Sequence, residues 1–379
     1  MSLVESQADD YARLLATADP LADAVASAFA ALPSGAGRRM LDTALKQGIN
    51  AVEDAPQALI DMFAQLDAVP LWVDWDRMDR GGQVFLRSGG LGIAVLSLYS
   101  LPITYSSPHG NKPLVFTGHL LKRAPRRLAE TASFVVATCR PGGLHRYAEG
   151  FAITIKVRLM HAQVRRLLWR SGRWSDDDWG TPINQVYLAG TNLALSAILL
   201  DGLERLGAPC SREDGEALLH LWRYSGYLTG VSPELLCSTR GEAKWLGEMI
   251  FNSEAAPDDD SRALVNALMT SSFLPWFNEY SWWRSAAYGM SRALIGDQLA
   301  DSLGYPKTPW RLAIPASRPL VFIGNSLLRM VPPRRSRATD VGTKAWEWAI
   351  EQIMGGSKAE FHAPTRLQSE QAAAGARNA

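Results

Sequence analysis

The chain has 379 residues, of which 47% are hydrophobic and 20% charged, a balance that supplies apolar surface for a large core and excludes a wholly disordered chain. Its 39 Lys and Arg stand against 38 Asp and Glu, so no net field draws the whole molecule to nucleic acid or acidic lipid. Cys139, Cys210 and Cys237 are odd in number and far apart; they argue against a disulfide framework and offer no C-x-x-C spacing for a zinc ribbon or a covalently attached haem.

In chain order, the first ten residues carry acids and no apolar run, and no twin arginine appears. The expectation is a chain that is not exported and works in the reducing cytoplasm. Ala22, Val25, Phe29 and Leu32 recur at helical spacing, as do Ala58, Ile60, Phe63 and Leu66, with a turn at Pro33 to Gly37 between them. The pairs Trp72/Trp75 and, later, Trp282/Trp283 are large rigid residues suited to core packing or pocket walls. Gly89 to Tyr105 is the longest apolar stretch. It is shorter than the roughly 18 to 20 residues of a spanning helix and contains Pro102, so it is read as a buried core helix with no stable membrane insertion.

Further helices are predicted over Pro125–Ala137, Ile155–Leu168 and Asn192–Leu206, the last stopped by Gly207. Turns at Arg140–Gly143, Gly207–Pro209 and Asp258–Ser261 divide the later segments. Alternating strand patterns are scarce. The chain is therefore read as mainly α, with about a dozen helices in one large domain over residues 1–355. From 356 to 379 no periodic apolar face remains, and a disordered tail is expected.

Of the six histidines, only His161 falls in the middle of a strongly amphipathic helix. On that helix Arg158, His161 and Arg165 share a side, and Val157, Met160, Val164 and Leu168 form an adjacent apolar stripe. A flat, anionic cofactor would suit such a surface, because haem needs a neutral imidazole on iron, apolar walls and cations near its propionates. A core histidine bonded to a carbonyl fits the spacing as well. On the preceding helix Arg127, Glu130 and Thr131 share one face. They make either an Arg127–Glu130 ion pair at a surface or the polar side of a cofactor pocket.

The order Arg127-x-x-x-Thr131, then Pro-Gly-Gly with Gly150, then Val157-Arg-Leu-Met-His-Ala162, resembles the domain shared by latex-clearing proteins and mpaB-type oxygenases. Val69–Asp76 upstream and Arg292–Pro306 downstream match in character, so the resemblance spans roughly Leu41 to Pro306. It implies a globin-like helical core, non-covalent haem b with His161 as axial ligand of the iron, and O₂-dependent chemistry on apolar substrates. Arg127, Thr131 and Arg158 match haem-pocket positions, with Arg127 and Thr131 hydrogen-bonding the oxygen. Two positions depart from the latex-clearing pattern. Glu130 stands where a distal lysine caps the iron, and Asn111 stands where an upstream acid acts as base.

The expectation is thus a haem b oxygenase that uses O₂ on an apolar small molecule, by oxidative C=C cleavage, with Glu130 as the acid/base group, a weak distal ligand or a surface ion pair, or with no such base needed. Two other readings are a haem-dependent gas sensor on the same scaffold and a cofactor-free helical lipid carrier in which His161 is only a core residue.

Overall fold

The computed structural model describes residues 3–117, 119–270, 281–330 and 332–355, and among these residues the secondary structure is helical, with no strand. The expected tail from 356 lies outside them. The first predicted helices form at Pro20–Ala30 and Gln57–Asp67. Asp19 starts the former, its carboxylate accepting the Ala22 N–H, so one orphan donor of the first turn is satisfied.

The apolar stretch from Gly89 belongs to the helix Trp75–Val95, which runs through a wider turn at Leu96–Ser100 into Leu101–Tyr105. Segments 75–105 and 185–205 are both long and apolar enough to cross a membrane by length and composition alone, and just over half of each apolar window is buried in the fold. Val95, Leu96, Leu98, Tyr99 and Tyr105 sit in the core.

Two boundaries differ from expectation. The run predicted as one helix over Asn192–Leu206 is two, Gln185–Leu195 and Ala197–Arg205, broken at Ser196. The Ser196 hydroxyl donates to the Asn192 carbonyl at 2.8 Å, a local bond that competes with the helical ladder. Asp258–Ser261 is not a separating turn but a helix start, where the Asp258 side chain accepts the Ser261 N–H at 2.9 Å and caps Asp259–Thr270.

Trp75–Val95 is the central strut, flanked by Arg212–Leu228 and Pro332–Met354. Gly81 lies against the Ala217 carbonyl and Gly82 against the Cys139 carbonyl, at distances where a Cβ would overlap backbone. The same device joins the two helices that matter most below, the Glu130 helix (His119–Cys139) and the His161 helix (Glu149–Arg170). A Cβ on Gly150 would fall 2.5 Å from the carbonyl oxygens of both Ala137 and Gly143. The Phe151 N–H donates to the Gly143 carbonyl at 2.9 Å. The Pro-Gly-Gly turn and Gly150 therefore bring the end of one helix onto the start of the other.

Gly150→Ala should lower stability by about 1–3 kcal/mol, the usual cost of forcing atoms into a packed contact. Gly90→Ala, at a helical position with open space around the Cβ, should be neutral or mildly stabilising. Thermal melts of the two variants check this; equal melting temperatures would mean that the helix junction is not tight.

Candidate functional site

The His161 helix is held in rotation by charge. Arg158 is buried and makes a two-point contact with Asp19, Nε to Oδ2 at 2.6 Å and Nη2 to Oδ1 at 2.9 Å, and its Nη1 donates to Gln65 Oε1 at 2.7 Å. Two turns further on, Arg165 donates from Nε to Asp23 Oδ1 at 2.8 Å and from Nη1 to the Ile183 carbonyl at 3.2 Å. Burial lifts the Asp23 carboxyl above its usual range, against the opposing pull of Arg165. Asp19 and Asp23 are one turn apart at the start of Pro20–Ala30, so a single neighbouring helix fixes both arginines.

The structure places one of the expected site residues apart from the others. Arg158 does not line the cavity described next, and its donors are committed to Asp19, Gln65 and the Leu228 carbonyl. Spacing grouped it with His161. At 100° per residue, however, His161 sits about 40–60° from the two arginines, on the side of the apolar stripe.

That stripe faces a cavity of about 370 Å³ between the two site helices, where Val157, Met160, His161 and Val164 meet Arg127, Glu130, Thr131 and Phe134. The volume is that of a small-molecule site. His161 Nδ1 is buried with no hydrogen-bond partner. Burial, helped by the positive charges of Arg165 and Arg127, pushes the His161 pKa down to about 4. The ring is neutral at physiological pH and its lone pair is available to a metal. An unmet buried polar atom costs about 1–3 kcal/mol, which a bound partner would recover. The indole N–H of Trp222 is likewise buried without a partner, and Trp222 lines this cavity together with Tyr187, whose phenol lies beside Ser107 and Glu254.

The polar group on the Glu130 helix is arranged differently from either spacing-based reading. Glu130 pairs with Arg126 rather than Arg127, Nε to Oε1 at 3.1 Å, at the half-exposed rim. Arg127 has no hydrogen bond or ion pair among the described residues, so its guanidinium is a further uncommitted donor on the cavity wall. Its charge also acts on Tyr105, where it opposes the burial that raises the phenol to about 12. The Thr131 hydroxyl donates back to the Arg127 carbonyl at 3.0 Å, which leaves it acceptor lone pairs.

Asn111, aligned with the upstream acid of the latex-clearing pattern, does line the cavity, and it is fully buried. Its amide donates to the Tyr105 carbonyl at 2.7 Å and to Ser261 Oγ at 3.1 Å. A carboxylate cannot donate to a carbonyl, so the residue serves the turn and no base stands there. A second acid does reach the cavity. Glu254 lines it and accepts from Tyr11 at 3.1 Å and Ser107 at 2.7 Å. Sequence reading missed Glu254 and Tyr187, because neither lies in the Glu130 or His161 helix and no spacing links them. His220 and His145, by contrast, are spoken for. His220 Nε2 accepts the Asp74 N–H at 3.0 Å, and His145 lies against the Trp75 ring.

With this geometry in place, the comparisons with known proteins are specific. Residues 75–322 match the family described as ER-bound oxygenase mpaB/B'/Rubber oxygenase, catalytic domain, and the chain belongs to that family. It is 26% identical over 259 residues to the rubber oxygenase of Streptomyces sp. (strain K30), a match covering 67% of this chain and 62% of that protein. Its fold is similar to that of latex clearing protein in the closed state, with a TM-score of 0.62 and 21% identity over 88% of this chain and 91% of the other.

Arg158→Met should cost about 3–5 kcal/mol in a denaturant titration, since it strands Asp19 in the interior. A variant that folds as well as wild type would show that the Arg158–Asp19 pair does not hold the helix.

Proposed function

We propose that this chain is a haem b-dependent oxygenase that uses O₂ on an apolar small molecule, with oxidative C=C cleavage as the outcome. The observation that carries the reading is the neutral, unpartnered imidazole of His161 in a largely apolar cavity. Among the described residues no three metal-ligating side chains converge. A single imidazole retains a metal only when a macrocycle supplies the other ligands, which is what haem does. The residues present therefore fit haem b, which His161 would hold non-covalently through a ring nitrogen, with Arg127 and Arg165 as nearby cations. When bound, the cofactor supplies activation of O₂.

The chain's own residues do the rest. Phe134, Val157, Met160 and Val164 offer dispersion contacts to an apolar substrate and keep water away. Arg127 directs hydrogen-bond donors into the cavity, and Thr131 contributes an acceptor beside it. Glu130, with its side chain mostly buried and its charge balanced by Arg126, is the carboxylate on the same wall that can take or return a proton. The Streptomyces relative is by its name a rubber oxygenase, which supports an apolar substrate here. Membership of the oxygenase family favours turnover over gas sensing or lipid carriage.

The purified protein should be red, with haem that passes wholly into acidified organic solvent. His161→Ala should lose most of that haem while its helical circular dichroism persists. A haem-bound His161→Ala protein with an unaltered visible spectrum would defeat the assignment of the ligand.

Glu130→Gln should preserve haem content and lower substrate-dependent O₂ uptake by about 10²-fold or more, the range of a lost acid/base group. Unchanged uptake would reduce Glu130 to a rim ion pair with Arg126, of a kind worth about 1 kcal/mol or less.

A further inference from the structure

The cavity that holds His161 carries a second polar centre with its own chemistry. The charges that bear on the His161 ring are those of Arg165, Arg127 and Asp19; Glu254, which lines the same cavity, is not among them. Glu254 is the C-cap of the helix Arg240–Ser253, so its carboxylate adds to the partial negative charge of the last helical carbonyls. Its described hydrogen-bond partners are hydroxyls. Ser107 Oγ donates to Oε2 at 2.7 Å and the Tyr11 hydroxyl donates to Oε1 at 3.1 Å, while the Tyr187 phenol lies beside both Ser107 and Glu254. Burial first, and the carboxylate next, raise the phenols of Tyr11 and Tyr187 above their usual range, so both stay protonated at neutral pH. Gly110 allows the groups to close up: its N–H donates to Ser107 Oγ at 3.2 Å, and a Cβ there would fall 2.8 Å from that oxygen and 3.0 Å from the Tyr187 ring.

The direction of these bonds decides what the corner can bind. A hydroxyl has one proton and two lone pairs, and an ionised carboxylate accepts only. With the protons of Tyr11 and Ser107 committed to Glu254, the capacity left over is that of acceptors. A hydrocarbon placed there would leave these acceptors without a partner, and a ligand carboxylate would add like charge to them. A hydroxyl or an ammonium group supplies the missing proton. Ile250 and Phe251, four and three residues before Glu254, also line the cavity, so apolar wall adjoins the polar corner. Tyr11 lies outside the segment 75–322 that matches the oxygenase family.

We propose that Ser107, Tyr187 and Glu254 form a head-group subsite of the cavity, which selects apolar molecules bearing one hydrogen-bond donor, a hydroxyl or a protonated amine, over hydrocarbons, ethers and carboxylates. Tyr11 is a positioning residue that holds the Glu254 carboxylate. Calling the selected molecule a substrate rests on the oxygenase reading, whereas its binding does not.

The test is isothermal titration calorimetry of the purified full chain at neutral pH with probes of matched length: 1-octanol, octylamine, 1-methoxyheptane and octanoate. At least one of the two donor probes should bind about tenfold or more tightly than both the ether and the carboxylate, because a site built to meet a donor rejects the analogue that lacks it. The stronger of 1-octanol and octylamine then identifies the head group as hydroxyl or ammonium. Glu254→Gln, which keeps the shape but adds a donor and removes the charge, should narrow the gap to about threefold or less by weakening the donor probes and improving octanoate. Tyr11→Phe keeps the carboxylate and should weaken the donor probes while preserving the order of the four. An ether that binds as tightly as both donor probes, a Glu254→Gln protein with the full preference intact, or no binding of any probe would overturn the proposal. Because the readout uses neither O₂ nor turnover, a haem-containing protein that fails it loses only the subsite, and a protein without haem that passes it loses only the oxygenase reading.

Discussion

The rotation of one helix about its axis decides whether this protein has a reactive site. Asp19 and Asp23, four residues apart, grip Arg158 and Arg165, seven residues apart, on the His161 helix. The Arg158–Asp19 pair is buried and Arg165 is fully so against a partly exposed Asp23, and the penalty for stranding a buried partner exceeds the worth of an ordinary surface bridge several-fold. With the arginines pinned to one side, the helix has to turn Val157, Met160, His161 and Val164 toward the Glu130 helix. The close backbone contact at Gly143 and Gly150 then sets how near the two helices can approach. Rotation and separation together leave a cavity rather than a packed core.

What the cavity can do follows from its imbalance. Its walls are largely apolar, yet His161 Nδ1 and the Trp222 indole N–H belong to residues on those walls and have no partner. A well-packed protein satisfies most such groups. Burial also keeps the imidazole neutral, with Arg165 and Arg127 adding to the effect. A neutral imidazole, an uncommitted guanidinium and an apolar wall are what a flat, anionic, metal-bearing cofactor and an apolar substrate would each use in turn.

Much of this was legible in the sequence. The 3.6-residue period gave the all-helical class, and the shared face of Arg127, Glu130 and Thr131 is the face that meets the cavity. Four details were not legible. Arg158 and His161 differ by only a fraction of a turn, and which of them faces inward depends on Asp19, distant in sequence. Glu130 had two arginines within reach by helical spacing, and it chose Arg126 through local geometry. Glu254 reaches the cavity from the end of Arg240–Ser253, a placement set by tertiary packing with no local signature. The break at Ser196 lay in the sequence as a serine, but the hydroxyl could have pointed to solvent as easily as to Asn192.

Iron held by His161, as proposed, would resolve the imbalance at its unpartnered nitrogen. Crystals of the protein reconstituted with haemin, measured on both sides of the iron absorption edge, address it directly. The expected anomalous difference map has one strong peak in the cavity, within bonding distance of a ring nitrogen of His161 and between the His161 and Glu130 helices. A peak elsewhere, or none in crystals that contain haem, would contradict it.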